Sequence, residues 1–210
     1  MPPVEFPQQI MSIAELEAVY GPPMEAVARK SIDHLDAHCR AFIAHSPFVA
    51  LAAADANGLT DVSPRGGPAG FVRVLDEYRL VIPDATGNRS IDILHRIVEG
   101  GRVGLLFIIP GISETLRIRG SAYVTSDPAL LDGLETGGKP ARLAVGVTVE
   151  AAFMHCAKAF IRSNLWRPER WPDCNEVPTS ARILAAHIAM DGFDEQVVQD
   201  FLEADYANGL

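Results

Sequence analysis

The stretch that organises this chain reads Leu80-Val81-Ile82-Pro83-Asp84-Ala85-Thr86-Gly87-Asn88-Arg89-Ser90. An apolar segment, typical of a strand, leads into a turn rich in Pro, Asp and Gly. Apolar residues then recur at helical spacing as far as Val98, which predicts a helix over residues 90–99. The turn brings Asn88, Arg89 and Ser90 to the helix N-terminus, where free N–H groups and the helix dipole favour an anion. We therefore predict that this turn holds a phosphate.

The segments around this turn favour antiparallel strands joined in hairpins. Residues 48–54 form an apolar strand candidate, Asp55-Ala56-Asn57-Gly58 is a hairpin turn, and residues 60–63 return from it. A loop rich in Gly and Pro follows over residues 64–70. The further predicted strands cover residues 71–75, 79–82, 103–109, 115–124 and 142–149, with alternation lost from residue 151 onward. The other predicted helices cover residues 13–19, 24–30, 33–45, 127–134, 180–190 and 194–206, and residues 155–163 are irregular or helical. This order favours a closed or partly closed antiparallel barrel with helices outside.

Length and composition limit the possible classes of protein. We expect 210 residues to form one domain overall, with an N-terminal helical extension over 1–34, a barrel over 35–170, and a C-terminal helical extension over 171–210 packed on it. A net charge of −9 argues against a nucleic-acid or anionic-membrane partner. No apolar run approaches the ~20 residues of a membrane span, and no secretory signal is expected. Three cysteines without Cys-x-x-Cys spacing favour a cytoplasmic location.

Two groups of residues suggest metal or nucleophile chemistry, and each has a simpler explanation. His34 and His38 stand four apart on a predicted helix and could bind a metal from one face. They flank the apolar stripe of that helix, however, where solvated polar residues belong. His155 and Cys156 suggest a Cys–His pair, but neighbouring residues of a strand point in opposite directions. Neither group predicts a metal site or a catalytic residue.

The positively charged residues indicate a ligand site more clearly than these groups do. Arg65 lies in the Gly/Pro loop, Arg89 in the turn before the helix, and Lys158 and Arg162 stand four apart, with Ser163 nearby. Gly and Pro surround the first two, as expected where backbone approaches a ligand closely. Elsewhere, Arg117 and Arg119 alternate with apolar residues of a predicted strand, so one face of that strand is solvated.

These motifs together resemble the pyridoxamine 5′-phosphate oxidase-like flavoproteins, which have a split β-barrel that binds flavin mononucleotide (FMN). The resemblance covers residues of about 35 to 170. The matching segments are Asp61-Val62-Ser63-Pro64-Arg65-Gly66, Gly70-Phe71-Val72, Leu80-Val81-Ile82-Pro83-Asp84, Gly87-Asn88-Arg89-Ser90, Arg102-Val103-Gly104-Leu105-Leu106-Phe107, Glu114-Thr115-Leu116-Arg117-Ile118-Arg119-Gly120 and His155-Cys156-Ala157-Lys158-Ala159.

The resemblance implies a role for each candidate site residue. The strand of Ser63, Pro64, Arg65 and Gly66 would lie against the flavin, with Arg65 near the ring edge or the phosphate. Asn88, Arg89 and Ser90 would hold the phosphate, and Thr115 would hydrogen-bond the isoalloxazine ring. Residues that would reach the cofactor from a partner subunit are Lys158, Arg162, Ser163 and Trp166.

The resemblance also implies a fold and a function. The fold is α+β and mainly β: a split antiparallel β-barrel of about six to seven strands, with flanking helices and helical extensions at both ends. We expect a homodimer with FMN at interface sites, acting as an oxidoreductase on a small-molecule substrate. The flavin carries the redox chemistry, so no nucleophile or base need be visible. The alternatives are a non-catalytic flavin or haem carrier on the same barrel and a deazaflavin-dependent reductase. The substrate stays open, because the C-terminal Trp…Arg motif of true pyridoxamine phosphate oxidases is not recognisable.

Overall fold

The computed structural model describes residues 6–84 and 91–209. Its contacts divide the chain into two compact units, Met1–Ser31 and Ile32–Leu210. The first unit contains helices α1 (Ile13–Tyr20) and α2 (Glu25–Arg29), close to the predicted ranges. The Ser12 side chain caps α1 by accepting the N–H of Glu15 at 3.2 Å, as its capping pattern predicts.

The second unit contains all the described strands. In chain order these are β1 (Phe48–Ala54), β2 (Thr60–Gly66), β3 (Arg73–Val74), β4 (Arg79–Asp84), β5 (Arg102–Ile108), β6 (Thr115–Thr125), β7 (Glu135–Thr136), β8 (Lys139–Pro140) and β9 (Leu143–His155). Among the described residues, seven strands form an antiparallel sheet in the order β2-β1-β5-β6-β9-β4-β3, and β7 pairs with β8 alone. Its helices are α3 (Ala37–His45), α4 (Asp92–Gly100), α5 (Pro128–Leu131), α6 (Lys158–Ser163), α7 (Ser180–Ile188) and α8 (Glu195–Gly209). The predicted α+β split-barrel fold is confirmed.

Alternation along the strands separates a core face from an open face. On β1, Val49 and Leu51 are fully buried, whereas Ala50 and Ala52 are half-buried on the opposite side. Phe107 and Leu116 continue the buried face on β5 and β6, and Ile97 of α4 belongs to the same core cluster. Helices α3 and α4 and the inner face of the sheet therefore form the core, and the other face of β1, β5 and β6 is left for a ligand or a partner.

The β1–β2 hairpin follows the predicted turn. The Asp55 carboxylate accepts the N–H groups of Asn57 at 2.8 Å and Leu59 at 2.9 Å, which fixes the turn. The returning strand was predicted to end at Ser63, and this is wrong: β2 continues through Pro64 to Gly66. Pro64 is tolerated because β2 stands at one end of the sheet, where a missing N–H breaks no ladder on its outer side.

The start of the helix predicted over residues 33–45 is also wrong. The helix begins at Ala37, because Asp36 is the N-cap and accepts the N–H of Cys39 at 2.7 Å. The preceding residues pair with other parts of the second unit instead. Ile32 forms a β-bridge with Ala152, and the Leu35 N–H donates to the Glu77 carbonyl at 2.6 Å.

The last strand of the sheet is longer than predicted. β9 runs to His155, although alternation was expected to end near Ala151. Arg119 pairs with Ala151 and Gly120 pairs with Val149, so Glu150 is an extra residue in a bulge. The bulge shifts the alternation by one position, which is why the strand was predicted to be short. No helix within the described ranges combines the length and the apolar character needed to cross a membrane.

Candidate functional site

A cleft of about 440 Å³ opens on the outer face of the sheet, over β1, β5 and β6. Its floor is formed by small or aliphatic residues that face each other across the strand pairs: Ala50 with Leu106, and Ala52 with Gly104 and Val62. Small side chains at adjacent positions leave a flat apolar surface. Such a surface suits the face of a planar ring.

Polar groups line the other side of the cleft. Thr115, at the start of β6, is only 2% exposed, and its hydroxyl forms no hydrogen bond with another described residue. Its register partner on β9 is His155, which lines the cleft together with the exposed Cys156. A ligand group that reaches this wall of the cleft would find the Thr115 hydroxyl available for a hydrogen bond.

Two arginines complete this wall. Arg117 and Arg119 both line the cleft, and their guanidinium carbons lie 5.2 Å and 5.8 Å from the centre of the Phe153 ring. Glu150 is bound by another cation, because Arg102 donates two hydrogen bonds to it, at 2.6 and 2.7 Å. This pairing with Arg102, and to a smaller extent the charge of Arg119, lowers the pKa of the Glu150 carboxyl. The cleft is therefore apolar on its floor and positively charged on one wall.

A second pocket, of about 260 Å³, lies beside the first. It is lined by the β2 residues from Asp61 to Pro64 and by Asp92 and Ile93, the first residues of α4. Val62 lines both cavities, so they adjoin at β2. No side-chain hydrogen bond caps the start of α4 within the described chain. The predicted phosphate ligands Asn88, Arg89 and Ser90 lie outside the described residues, just before this helix in sequence.

Arg65 is engaged in an ion pair. Its Nη1 donates to Asp84 Oδ1 at 2.5 Å, and both side chains are only 15% exposed. The Nε of Arg65 is buried without a partner among the described residues. The pair joins β2 to β4, which are not neighbours in the sheet order, and so helps to close the barrel. The predicted contact of Arg65 with the flavin stays a prediction.

The remaining predicted site residues lie on or just after α6, at the edge of the cleft. Phe160 of this helix lines the cleft, whereas Lys158 and Arg162 are exposed. The Ser163 hydroxyl donates to the Phe160 carbonyl at 3.1 Å. The Trp166 indole N–H donates to the Ile112 carbonyl at 2.9 Å, and its ring centre lies 5.7 Å from that of Phe160. Their contact with a cofactor of the partner subunit stays a prediction.

The structure also shows where the residues of the suggested metal site and of the suggested Cys–His pair lie. His34 precedes α3 while His38 lies on it, so they do not share a helix face. Within the described residues no group of three or more His, Cys, Asp or Glu residues could hold a metal ion. His155 and Cys156 both line the cleft.

The arginine wall was missed at the level of sequence. Arg117 and Arg119 were recognised only as the solvated face of a strand. Their spacing was the available signal for a shared site, because residues two positions apart on a strand lie on the same face of the sheet. What sequence could not supply was Phe153, which reaches them through the pairing of β6 with β9.

A model of the pyridoxamine 5′-phosphate oxidase family matches residues 35–156, more than half of the chain. The chain therefore belongs to the pyridoxamine 5′-phosphate oxidase family, and the resemblance read from its motifs is confirmed. No curated protein sequence matches the chain.

Solved structures with a similar fold include the HupZ protein of Group A Streptococcus, 16% identical, with a TM-score of 0.46 over 57% of this chain and 92% of that one. A putative pyridoxamine 5′-phosphate oxidase from Lactobacillus delbrueckii is 22% identical, with a TM-score of 0.42 over 58% and 99%. An FMN-binding protein from Syntrophomonas wolfei is 11% identical, with a TM-score of 0.40 over 56% and 83%.

Proposed function

We propose that this protein binds FMN and passes hydride or electrons between a reduced donor and a small molecule. The observation that carries the proposal is the pair of adjoining cavities at Val62, one flat and apolar and the other at the start of a helix. FMN has the same two parts, a planar ring and a phosphate. Family membership supports the same assignment.

The larger cleft fits the isoalloxazine ring. The ring would lie on the floor formed by Ala52, Val62 and Gly104. Its polar edge would accept or donate a hydrogen bond at the Thr115 hydroxyl, which lines the cleft. When bound, the flavin supplies the redox chemistry, and the protein positions it and excludes water from one face.

The smaller pocket is the proposed phosphate site. The turn predicted just before α4 would supply cations to it. The smaller pocket lies at the start of α4, and a helix N-terminus favours an anion because the helix dipole is positive there. Asp92 lies in the same pocket, and the nearby Arg65 is partly neutralised by Asp84. A dianion placed there needs further positive charge. We assign this charge to Arg89 of the turn and to Lys158 of a partner subunit.

The homodimer and the cytoplasmic location are part of the same proposal. The open sheet face and the exposed cations of α6 support a site shared by two subunits. All three cysteines are free, which supports a reducing compartment.

The proposal is tested by filling the floor of the cleft. A Cβ at Gly104 would have no atom within 4 Å, so Gly104→Val should fold normally while its side chain occupies the ring position. We expect the dissociation constant for FMN, measured by quenching of flavin fluorescence, to rise at least about tenfold, a loss of ~1.4 kcal/mol. Ser121→Val adds a similar side chain on β6 outside the cleft and serves as the control, with unchanged affinity. Wild-type affinity in Gly104→Val would contradict the proposed ring position.

Redox function is tested on the FMN-loaded protein without air. Bleaching of the flavin absorbance by NADPH or NADH would support an oxidoreductase. A flavin that stays oxidised with both donors would contradict use of a nicotinamide donor and would support a carrier.

A further inference from the structure

Most ion pairs of this acidic protein neutralise an arginine. Among the described residues, salt bridges to carboxylates engage Arg29, Arg40, Arg65, Arg79, Arg96 and Arg102. Arg117 differs from these, because it forms no salt bridge with a described residue and lines a cleft. It also differs from arginines that extend freely into solvent, since its guanidinium stacks on Phe153 at 5.2 Å. Arg117 is thus held in place without a bound carboxylate.

Arg119 strengthens the charge at the same place. It stands two residues further along β6, about 7 Å away along a strand, and stacks on the same ring at 5.8 Å. Two like charges at this distance repel one another, and an anion between them removes the repulsion. Guanidinium groups bind carboxylates and phosphates through paired hydrogen bonds.

The rest of the cleft favours a ligand with an apolar part. The floor of Ala50, Leu106 and their neighbours is apolar, and Phe160 adds an aromatic wall. In the pairing of β5 with β6, Arg119 stands opposite Gly104 and Arg117 opposite Leu106, so both arginines lie beside the floor on which the ring is placed. A molecule seated there would contact both the arginines and the ring.

We propose that the cleft takes a small acidic substrate, in which an apolar body carries a carboxylate or a phosphate held by Arg117 and Arg119. The inference deepens the proposed function and rests on it for the position of the flavin. The apolar body would lie beside the ring, and the anionic group would fix its orientation. The arginines are therefore positioning and specificity residues for the substrate.

The test compares ligands that share a shape and differ in charge. Benzoate and phenyl phosphate are titrated by calorimetry into the protein as purified with its flavin, and benzamide serves as the neutral match for benzoate. We expect benzamide to bind at least about tenfold more weakly than the better of the two anions, because a charge-assisted hydrogen bond is stronger than a neutral one. The anion with the lower dissociation constant identifies the group that the site prefers.

Variants locate the binding to the arginines. Arg117→Gln should remove the preference for the anion, and Arg117→Lys should keep part of it. Arg119→Gln repeats the test from the second guanidinium if the first variant folds poorly by circular dichroism. Arg142→Gln removes an exposed arginine outside the cleft and should leave all affinities unchanged.

The outcomes separate this inference from the proposed function. Benzamide that binds as tightly as the better of the two anions, or an anion preference that survives both Gln variants, overturns the acidic-substrate inference even if the protein holds FMN. A protein that holds no FMN yet prefers the anion through Arg117 overturns the proposed function and retains the anion site.

Discussion

The ion pair between Arg65 and Asp84 should contribute strongly to stability. Both side chains are 15% exposed, and the Arg65 Nε already lacks a partner among the described residues. Asp84→Ala would leave the guanidinium buried and without its counter-charge. Removing one partner of a buried pair costs about 3–5 kcal/mol, and the remaining exposure favours the lower end, about 3 kcal/mol. For a chain of this size, that corresponds to a fall of about 6–12 °C in the melting temperature.

The assay is thermal and urea unfolding followed by circular dichroism, with two comparison variants. Glu150→Ala breaks the Arg102–Glu150 pair, whose side chains are 61% and 43% exposed, and should lower the melting temperature far less. The double variant Arg65→Met with Asp84→Leu removes both charges and should recover most of the stability. If Asp84→Ala unfolds at the same temperature as Glu150→Ala, the pair does not help to close the barrel.

Four further predictions follow from other parts of the fold. Gly120→Ala should destabilise the protein by about 1–3 kcal/mol or more in urea unfolding, since its Cβ would overlap a backbone carbonyl of β9; wild-type stability would contradict the bulge geometry. Burial raises the pKa of the Cys39 thiol to about 11, so iodoacetamide at about pH 8 should label Cys156 and spare Cys39. Saturating FMN should slow the labelling of Cys156 in mass spectra, and an unchanged rate would argue against a ring in the cleft. Backbone N–H groups of the hairpin turn lower the pKa of the Asp55 carboxyl, so its contribution to stability is present above about pH 4 and lost as the pH falls through the lowered value. Asp55→Asn should therefore show a shallower loss of stability below about pH 4, and an unchanged slope would exclude this carboxyl as a cause of acid unfolding.

Local signals in the sequence located the first hairpin and its turn, although not the end of β2. The register of β1 with β2, from Ala54 opposite Thr60 to Phe48 opposite Gly66, follows from the Asp-Ala-Asn-Gly turn and the alternation beside it. Tertiary contacts decided the elements that were predicted with wrong ends. Asp33 and Asp36 can both cap a helix, and the bridge from Ile32 to Ala152 holds the earlier residues extended. Similarly, a single extra residue in β9 ended the alternation on which a strand prediction depends.

The candidate site was predictable only in part, because its contacts join residues far apart in sequence. Composition marked Arg65 as a residue near a ligand, but its pairing with Asp84 depends on how the sheet closes. Thr115 was implied by the resemblance, and the structure places it in the cleft with Val62. Arg117 gained its significance from Phe153, a residue of another strand.

FMN binding is tested most directly by the absorbance spectrum and the mass of the cofactor that co-purifies with the full chain. We predict a flavin spectrum and, after release by denaturation, the mass of FMN at close to one molecule per subunit. A chain that carries a deazaflavin or haem, or that neither retains FMN nor takes it up when FMN is added, would contradict the central claim.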